Sequence, residues 1–235
     1  MKQNMNYKDR KKKILLVHGF GMDLLFSILE ALKMYDKLEK RKFDIGFPAF
    51  TELIKEGWAK LFVWYADIKD VLEEKENIFD IKSALKIYNY EKEKSISTEV
   101  LKRLNDMIMD FQPEVLVGHS MGAFMIFNYL KKFNLSDSVR NIYFVQGDFP
   151  NDWQIEDENI KSRIDSDRLR IINIYCNWDP ILYVSKFVNK TYTPAGISRC
   201  SDPYILNLFF PLKKDINLHN STLSDKDFVE LVLKY

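Results

Sequence analysis

Glycine is scarce in this chain: there are eight in 235 residues, beside seven prolines, three histidines and two cysteines. Two cysteines, Cys176 and Cys200, exclude a disulfide framework, and their spacing offers no metal site. A reducing compartment is the expectation, and the cytoplasm the expected location. Charge of one sign is also missing. Thirty-five Lys and Arg against thirty-four Asp and Glu leave a net charge of +1, so no overall field favours nucleic acid or an acidic membrane surface. The basic cluster Lys8 to Lys13, with Asp9 inside it, reads as a solvated leader into the first strand. Long hydrophobic runs are lacking too. The early run ILLVHGFGMDLLF is broken by His18, two glycines and Asp23, and has no small-residue cleavage site, so no stable membrane insertion is expected. No internal repeat, low-complexity tract or linker divides the chain, which predicts one domain over 1–235.

What is present is the composition of a globular protein, 46% apolar and 29% charged. Short β-rich runs recur: KILLV at 13–17, LFVWY at 61–65, VLV at 115–117, IYFV at 142–145 and RIINIYC at 170–176. They are apolar on both alternating faces, as strands buried in a parallel sheet must be. Helical spacing lies between them. Ser97 is the expected N-cap of a helix bearing Val100, Leu101, Leu104, Met107, Ile108 and Phe111, stopped by Pro113. Phe124, Phe127, Tyr129, Leu130 and Phe133 mark a second helix; Ser224 and Asp227 suggest a capping box for a last one. Alternating strands and helices predict an α/β fold with helices on both faces of a mostly parallel sheet of about six strands.

Two of the scarce glycines stand four apart in VGHSMG, at Gly118 and Gly122, with Ser120 midway between them. Gly-x-Ser-x-Gly directly after a buried strand and before a helix is the pattern of a nucleophile elbow, a sharp turn that lifts a serine hydroxyl out at the carboxyl end of a sheet. Glycines flank the serine because neighbouring backbone comes too close for a Cβ. The N-H groups opening the next helix favour negative charge at that point.

With LLVHGFG at 15–21 and VGHSMG at 117–122, the chain resembles the α/β-hydrolase family, and the resemblance extends from Lys13 to the last helix. It implies a compact α/β-hydrolase fold lacking two leading strands, and an oxyanion hole formed by the backbone N-H groups of Phe20 and Met121. Two fixed donors of this kind are worth on the order of 10²- to 10³-fold each. Serine needs a base. His18 belongs to the oxyanion segment and His119 to the elbow, and the resemblance places the base at His219, ahead of the last helix. The acid should follow a strand in the order Ser, Asp or Glu, His. Asp179, ending the penultimate strand, holds the usual family position; Asp148, one strand earlier, is the alternative.

These residues imply a serine hydrolase that cleaves carboxylic esters through an acyl-enzyme, with a small-molecule acyl ester as substrate and no cofactor or metal. A thioesterase, acyltransferase or peptidase on the same scaffold, or a ligand-binding protein with a hydrolase fold, are the alternatives. Two stretches exceed a minimal hydrolase, 70–95 and 189–212, and are candidate lid or pocket insertions. The second contains YILNLFF at 204–210, which reads either as an acyl-pocket lining or as core. The short, charged connection at 149–169 leaves no room for a large cap.

Overall fold

A strand covered by helices on both faces must be apolar on both, and Ile14, Leu15, Leu16 and Val17 are all fully buried. They form β1 (Ile14–Val17), followed by β2 (Ala59–Phe62), β3 (Val115–His119), β4 (Asn141–Val145), β5 (Arg170–Tyr175) and β6 (Ile205–Phe209). The computed structural model describes residues 12–19, 47–64, 81–211, 219 and 221–235. Among them the six strands form one sheet in the order β2-β1-β3-β4-β5-β6, with every neighbouring pair parallel. The α-helices of the described residues are α1 (Thr51–Lys55), α2 (Ile81–Ser95), α3 (Thr98–Phe111), α4 (Met121–Lys132), α5 (Glu158–Asp165), α6 (Pro180–Asn189) and α7 (Lys226–Lys234).

The twofold alternation of side chains along a strand divides the core into two layers. Leu15, Val17, Leu116, Ile142 and Phe144 point to one face, where Leu101, Leu104 and Ile108 of α3 and Met125, Ile126 and Phe127 of α4 cover them. Ile14, Leu16, Val115, Val117, Tyr143 and Val145 point to the other, against Phe50 and the α7 residues Phe228 and Val232. The α/β sheet with helices on both faces is therefore present, with all six strands parallel rather than most of them. The Ser97 side chain caps α3 by accepting from the Val100 N-H at 3.3 Å, and Gln112, left-handed at φ 51°, ends the helix ahead of Pro113.

Several local expectations are corrected. The second strand begins at Ala59 rather than Leu61, because β1 pairs it in the register Ile14↔Ala59 to Val17↔Phe62. Trp64 then leaves the sheet to stack on His18. The last helix is capped by Asp225, whose carboxylate accepts from the Asp227 N-H at 2.9 Å, because Ser224 is used in the preceding 3-10 turn. YILNLFF is no appendage: Ile205 to Phe209 pair with β5 as the sixth strand. Within the stretch 189–212, expected as a lid or pocket insertion, residues 205–209 are thus an edge strand of the sheet. Of the stretch 70–95, residues 81–95 form α2, whose Tyr88 packs against the core layer beneath α4; residues 70–80 lie outside the described residues. Both cysteines are buried and free. Among the described residues, no helix is long and apolar enough to cross a membrane.

Candidate active site

Ligand sites of open parallel sheets lie at the carboxyl ends of the strands. β3 ends at His119, and Ser120 follows with φ 54° and ψ −119°, a left-side backbone conformation that a residue with a Cβ adopts at a cost of about 1–3 kcal/mol. The turn is held from both sides. The Ser120 N-H donates to the Val145 carbonyl at 3.0 Å, and the Ser120 carbonyl accepts from the N-H groups of Ala123 and Asp148, each at 3.1 Å. Glycine at 122 is a steric requirement, since a Cβ there would meet the Val17 carbonyl oxygen at 2.2 Å. A Cβ on Gly19 would stand 2.8 Å from the Ser120 Cβ, so the end of β1 presses directly on the serine. Met121 is the first residue of α4 and is buried. Phe20 lies outside the described residues.

The carboxyl ends of β4 and β5 bring further polar side chains. Asp179 is the N-cap of α6: its Oδ1 accepts from the N-H groups of Ile181 and Leu182 at 3.1 and 3.2 Å. Its Oδ2 accepts from Gln146 Nε2 at 2.6 Å and from His219 Nδ1-H at 2.7 Å. Burial by itself would raise the pKa of this carboxyl, but the bonds from His219, the Leu182 amide and Gln146 outweigh it and hold the pKa below the usual carboxylate range. Because a carboxylate only accepts, Nδ1 of His219 is a donor, and in the neutral ring Nε2 is then the acceptor. Among the described residues, no hydrogen bond joins the Ser120 hydroxyl to that ring; in free enzymes such contacts commonly tighten only once substrate is bound.

The other two histidines frame this pair. His119 donates from Nε2 to the backbone carbonyl of His219 at 2.9 Å, and the two rings lie 4.6 Å apart, centroid to centroid. Burial, aided by the neighbouring His219, lowers the His119 pKa to about 3, so its ring is neutral. His18 stacks on Trp64 at 5.4 Å, accepts from the Trp64 N-H on Nε2 at 3.5 Å and donates from Nδ1 to the Gly19 carbonyl at 2.9 Å. Burial lowers its pKa to about 4. Both neutral rings brace the backbone at the ends of β1 and β3.

Asp148 is not in contact with His219. Its carboxylate accepts from Tyr88 Oη at 2.5 Å, Ser185 Oγ at 2.6 Å and Tyr192 Oη at 3.2 Å, and the Lys92 ammonium stands 3.9 Å away. Lys92 also donates to Asn189 Oδ1 at 2.9 Å, to Tyr88 Oη at 3.1 Å and to Tyr192 Oη. Burial lowers the Lys92 pKa, and burial together with the Asp148 charge raises those of both tyrosines. This cluster ties α2 and α6 to the segment behind the elbow.

Residues 1–199 match a family described as "Alpha/beta hydrolase of unknown function (DUF900)". The chain belongs to this α/β-hydrolase family. The matched part contains Ser120 and Asp179 and ends before His219. No curated protein matches the chain. Among solved structures, the chain is similar to a protein of Agrobacterium vitis S4 provisionally described as a hydrolase, at 11% identity over 96% of this chain and 87% of that one, with a TM-score of 0.43. It is also similar to a lipase-esterase related protein from Clostridium acetobutylicum ATCC 824, at 12% identity over 97% of this chain and 95% of that one, with a TM-score of 0.38. Neither likeness bears on activity.

Of the residues expected from sequence, Asp179 and His219 are bonded to each other, Ser120 sits in a strained turn next to His119, whose ring lies against that of His219, and Asp148 serves a separate network. Sequence reading missed Gln146, which follows β4 with φ 47° and holds Asp179. A polar, non-glycine residue between a buried strand and Gly147 was its only signal. Tyr88 and Lys92, four apart on one helix, could be found only once α2 was packed. Among the described residues, no cluster of three or more His, Cys, Asp or Glu side chains could hold a metal ion.

Proposed function

We propose that this member of the DUF900 family is a serine hydrolase that cleaves carboxylic esters, with Ser120 as nucleophile, His219 as base and Asp179 as the carboxylate that orients the base. The observation that supports it most is the 2.7 Å bond from His219 Nδ1 to a buried Asp179 whose other oxygen is occupied by two backbone amides. In the neutral ring that bond selects the tautomer with Nε2 as acceptor, the form a general base requires. In the proposed reaction the Ser120 hydroxyl comes within hydrogen-bond reach of Nε2 and attacks the ester carbonyl as its proton passes to His219. The N-H groups of Met121 and Phe20 hold the oxyanion. Imidazolium then protonates the departing alcohol, and water, activated by the same histidine, releases the acid and restores the serine.

The strained conformation of Ser120 also supports this reading, since non-glycine residues held at such angles cluster at functional turns. The test is labelling with a fluorophosphonate, which reacts only with an activated serine, followed by turnover of acyl esters of increasing chain length. Labelling of the natural protein and its loss in Ser120→Ala are expected, with turnover falling by about 10⁶-fold if the three residues act as a unit. Absence of labelling in the natural protein, or equal turnover in the variant, removes the proposal.

A further inference from the structure

Helix α6 is amphipathic with its faces the wrong way round for a helix in water. Leu182 and Ser185 are its buried residues, whereas Ile181 is 51%, Val184 59% and Phe187 77% exposed, and Trp178 just before the helix is 80% exposed. A surface helix ordinarily turns its apolar stripe to the core. Here Val184 and Phe187 lie opposite the buried side, so the stripe faces solvent in one contiguous patch, which marks an interaction surface rather than a scatter of single residues.

Charge around the stripe indicates what it meets. The chain has 34 acidic residues, yet none occurs between Pro180 and Ser201, a stretch that holds Lys186, Lys190 and Arg199. All three cations are exposed. Lys186 and Lys190 stand on one flank of the stripe and, with Tyr183, Phe187 and Tyr192, line an open groove of about 750 Å³. The near-neutral whole chain conceals this local bias. Apolar and aromatic residues on the outer face, lysines along the flank and no acid are the composition of a helix that lies in the interface of an anionic bilayer. Trp and Tyr suit that boundary because one end of each ring is apolar and the other polar.

We propose that the outward face of α6 docks on the surface of a membrane containing anionic phospholipid. The position of α6 gives the contact a purpose. Asp179 caps the helix and bonds His219, so docking brings the candidate site to the lipid boundary, where ester-bearing lipids are the substrate class at hand. That last step rests on the proposed ester hydrolysis; the docking itself does not.

The experiment therefore uses Ser120→Ala protein, which cannot consume lipid, and sedimentation with phosphatidylcholine vesicles with and without phosphatidylglycerol. Binding to the anionic vesicles, with a blue shift of Trp178 emission, is expected. Trp178→Ser with Phe187→Ser should weaken it by roughly a hundredfold. Lys186→Gln with Lys190→Gln should weaken it by roughly thirtyfold, and added salt should do the same to the unaltered protein. These side chains are exposed, and unchanged melting temperatures will show that the variants fold. No binding to anionic vesicles, or binding indifferent to all four substitutions, overturns the proposal. So does light scattering that shows a dimer abolished by the Trp178 and Phe187 changes, since a second copy would then cover the stripe. Vesicle binding without fluorophosphonate labelling would sink the hydrolase reading and leave the docking, and the reverse result would do the opposite.

Discussion

Asp148 and Asp179 follow adjacent strands of the sheet, both are buried, and each stands one or two residues before a proline. Their surroundings are nevertheless different in kind. Asp179 receives two backbone amides from the start of α6, one side-chain amide from the residue after β4 and one imidazole from the segment ahead of α7. Asp148 receives three hydroxyls and faces an ammonium, contributed by α2, α6 and the segment after it. An imidazole can exchange a proton near neutrality, whereas buried tyrosines with raised pKa values and a fully engaged lysine cannot. One carboxylate thus meets a group able to exchange protons, and the other holds two helices in place.

The contrast is broken most severely at Asp179. Asp179→Asn presents the wrong imidazole tautomer, and steady-state assays on an ester substrate should show turnover lower by about 10⁴-fold with the melting temperature little changed. Asp148→Asn should show the converse. If Asp148→Asn instead produced the larger loss of turnover, the division of labour between the two would be reversed.

Stability is where the second carboxylate should dominate. Asp148→Ala leaves Lys92 and two tyrosines facing a buried gap, and removing one partner of a buried ion pair costs about 3–5 kcal/mol. Urea unfolding should report a loss of that size, and Lys92→Met together with Asp148→Ala should recover part of it. A loss in the double variant equal to the sum of the single losses would mean the pair is not coupled.

His119 sharpens the comparison from the other side, because it touches the Asp179 corner through the His219 carbonyl. His119→Phe keeps a ring but removes the donor, and should lower turnover by roughly fivefold, the worth of one hydrogen bond of about 1 kcal/mol. His119→Gln, which can offer an amide N-H at a similar reach, should restore most of it. Equal activity in the two variants would show that the ring's packing matters and its bond does not.

A further test concerns acid. His119 and His18 have folded pKa values lowered to about 3 and about 4, so the unfolded chain takes up their protons first as pH falls below the ordinary value of about 6.5. Their contribution to stability is complete above that value and declines as pH falls through the window down to the folded pKa. The urea midpoint should therefore drop between pH 7 and pH 4.5, and less steeply in His119→Gln. An identical slope in the variant would exclude His119 from the acid response.

Much of this architecture is legible along the chain because its causes are local. Continuous apolar runs report burial on both faces, so five of the six strands can be read directly, and Gly118, Ser120 and Gly122 report a turn made within five residues. β6 escaped because an edge strand with exposed Leu206, Leu208 and Phe209 has no face-to-face burial to announce it, and reads equally as a pocket lining. The start of α7 slipped by one residue because Ser224 and Asp225 are both good caps, and only the 3-10 turn before them distinguishes the two.

Local order along the chain fixes the alternation of strand and helix, the turn at Ser120 and the short set of polar residues from which a site could be assembled, since each depends on neighbours within a turn or two. Tertiary structure alone decided which carboxylate meets His219. Asp148 and Asp179 look alike to any local rule, and the choice was made by elements far apart in the chain: Gln146 and the first amides of α6 orient one, and Tyr88, Lys92 and Ser185 engage the other. The outward apolar face of α6 was decided in the same way. Helical spacing of Ile181, Val184 and Phe187 shows that a stripe exists, but only the packing of Leu182 and Ser185 against the rest of the fold determines that this stripe points to the outside.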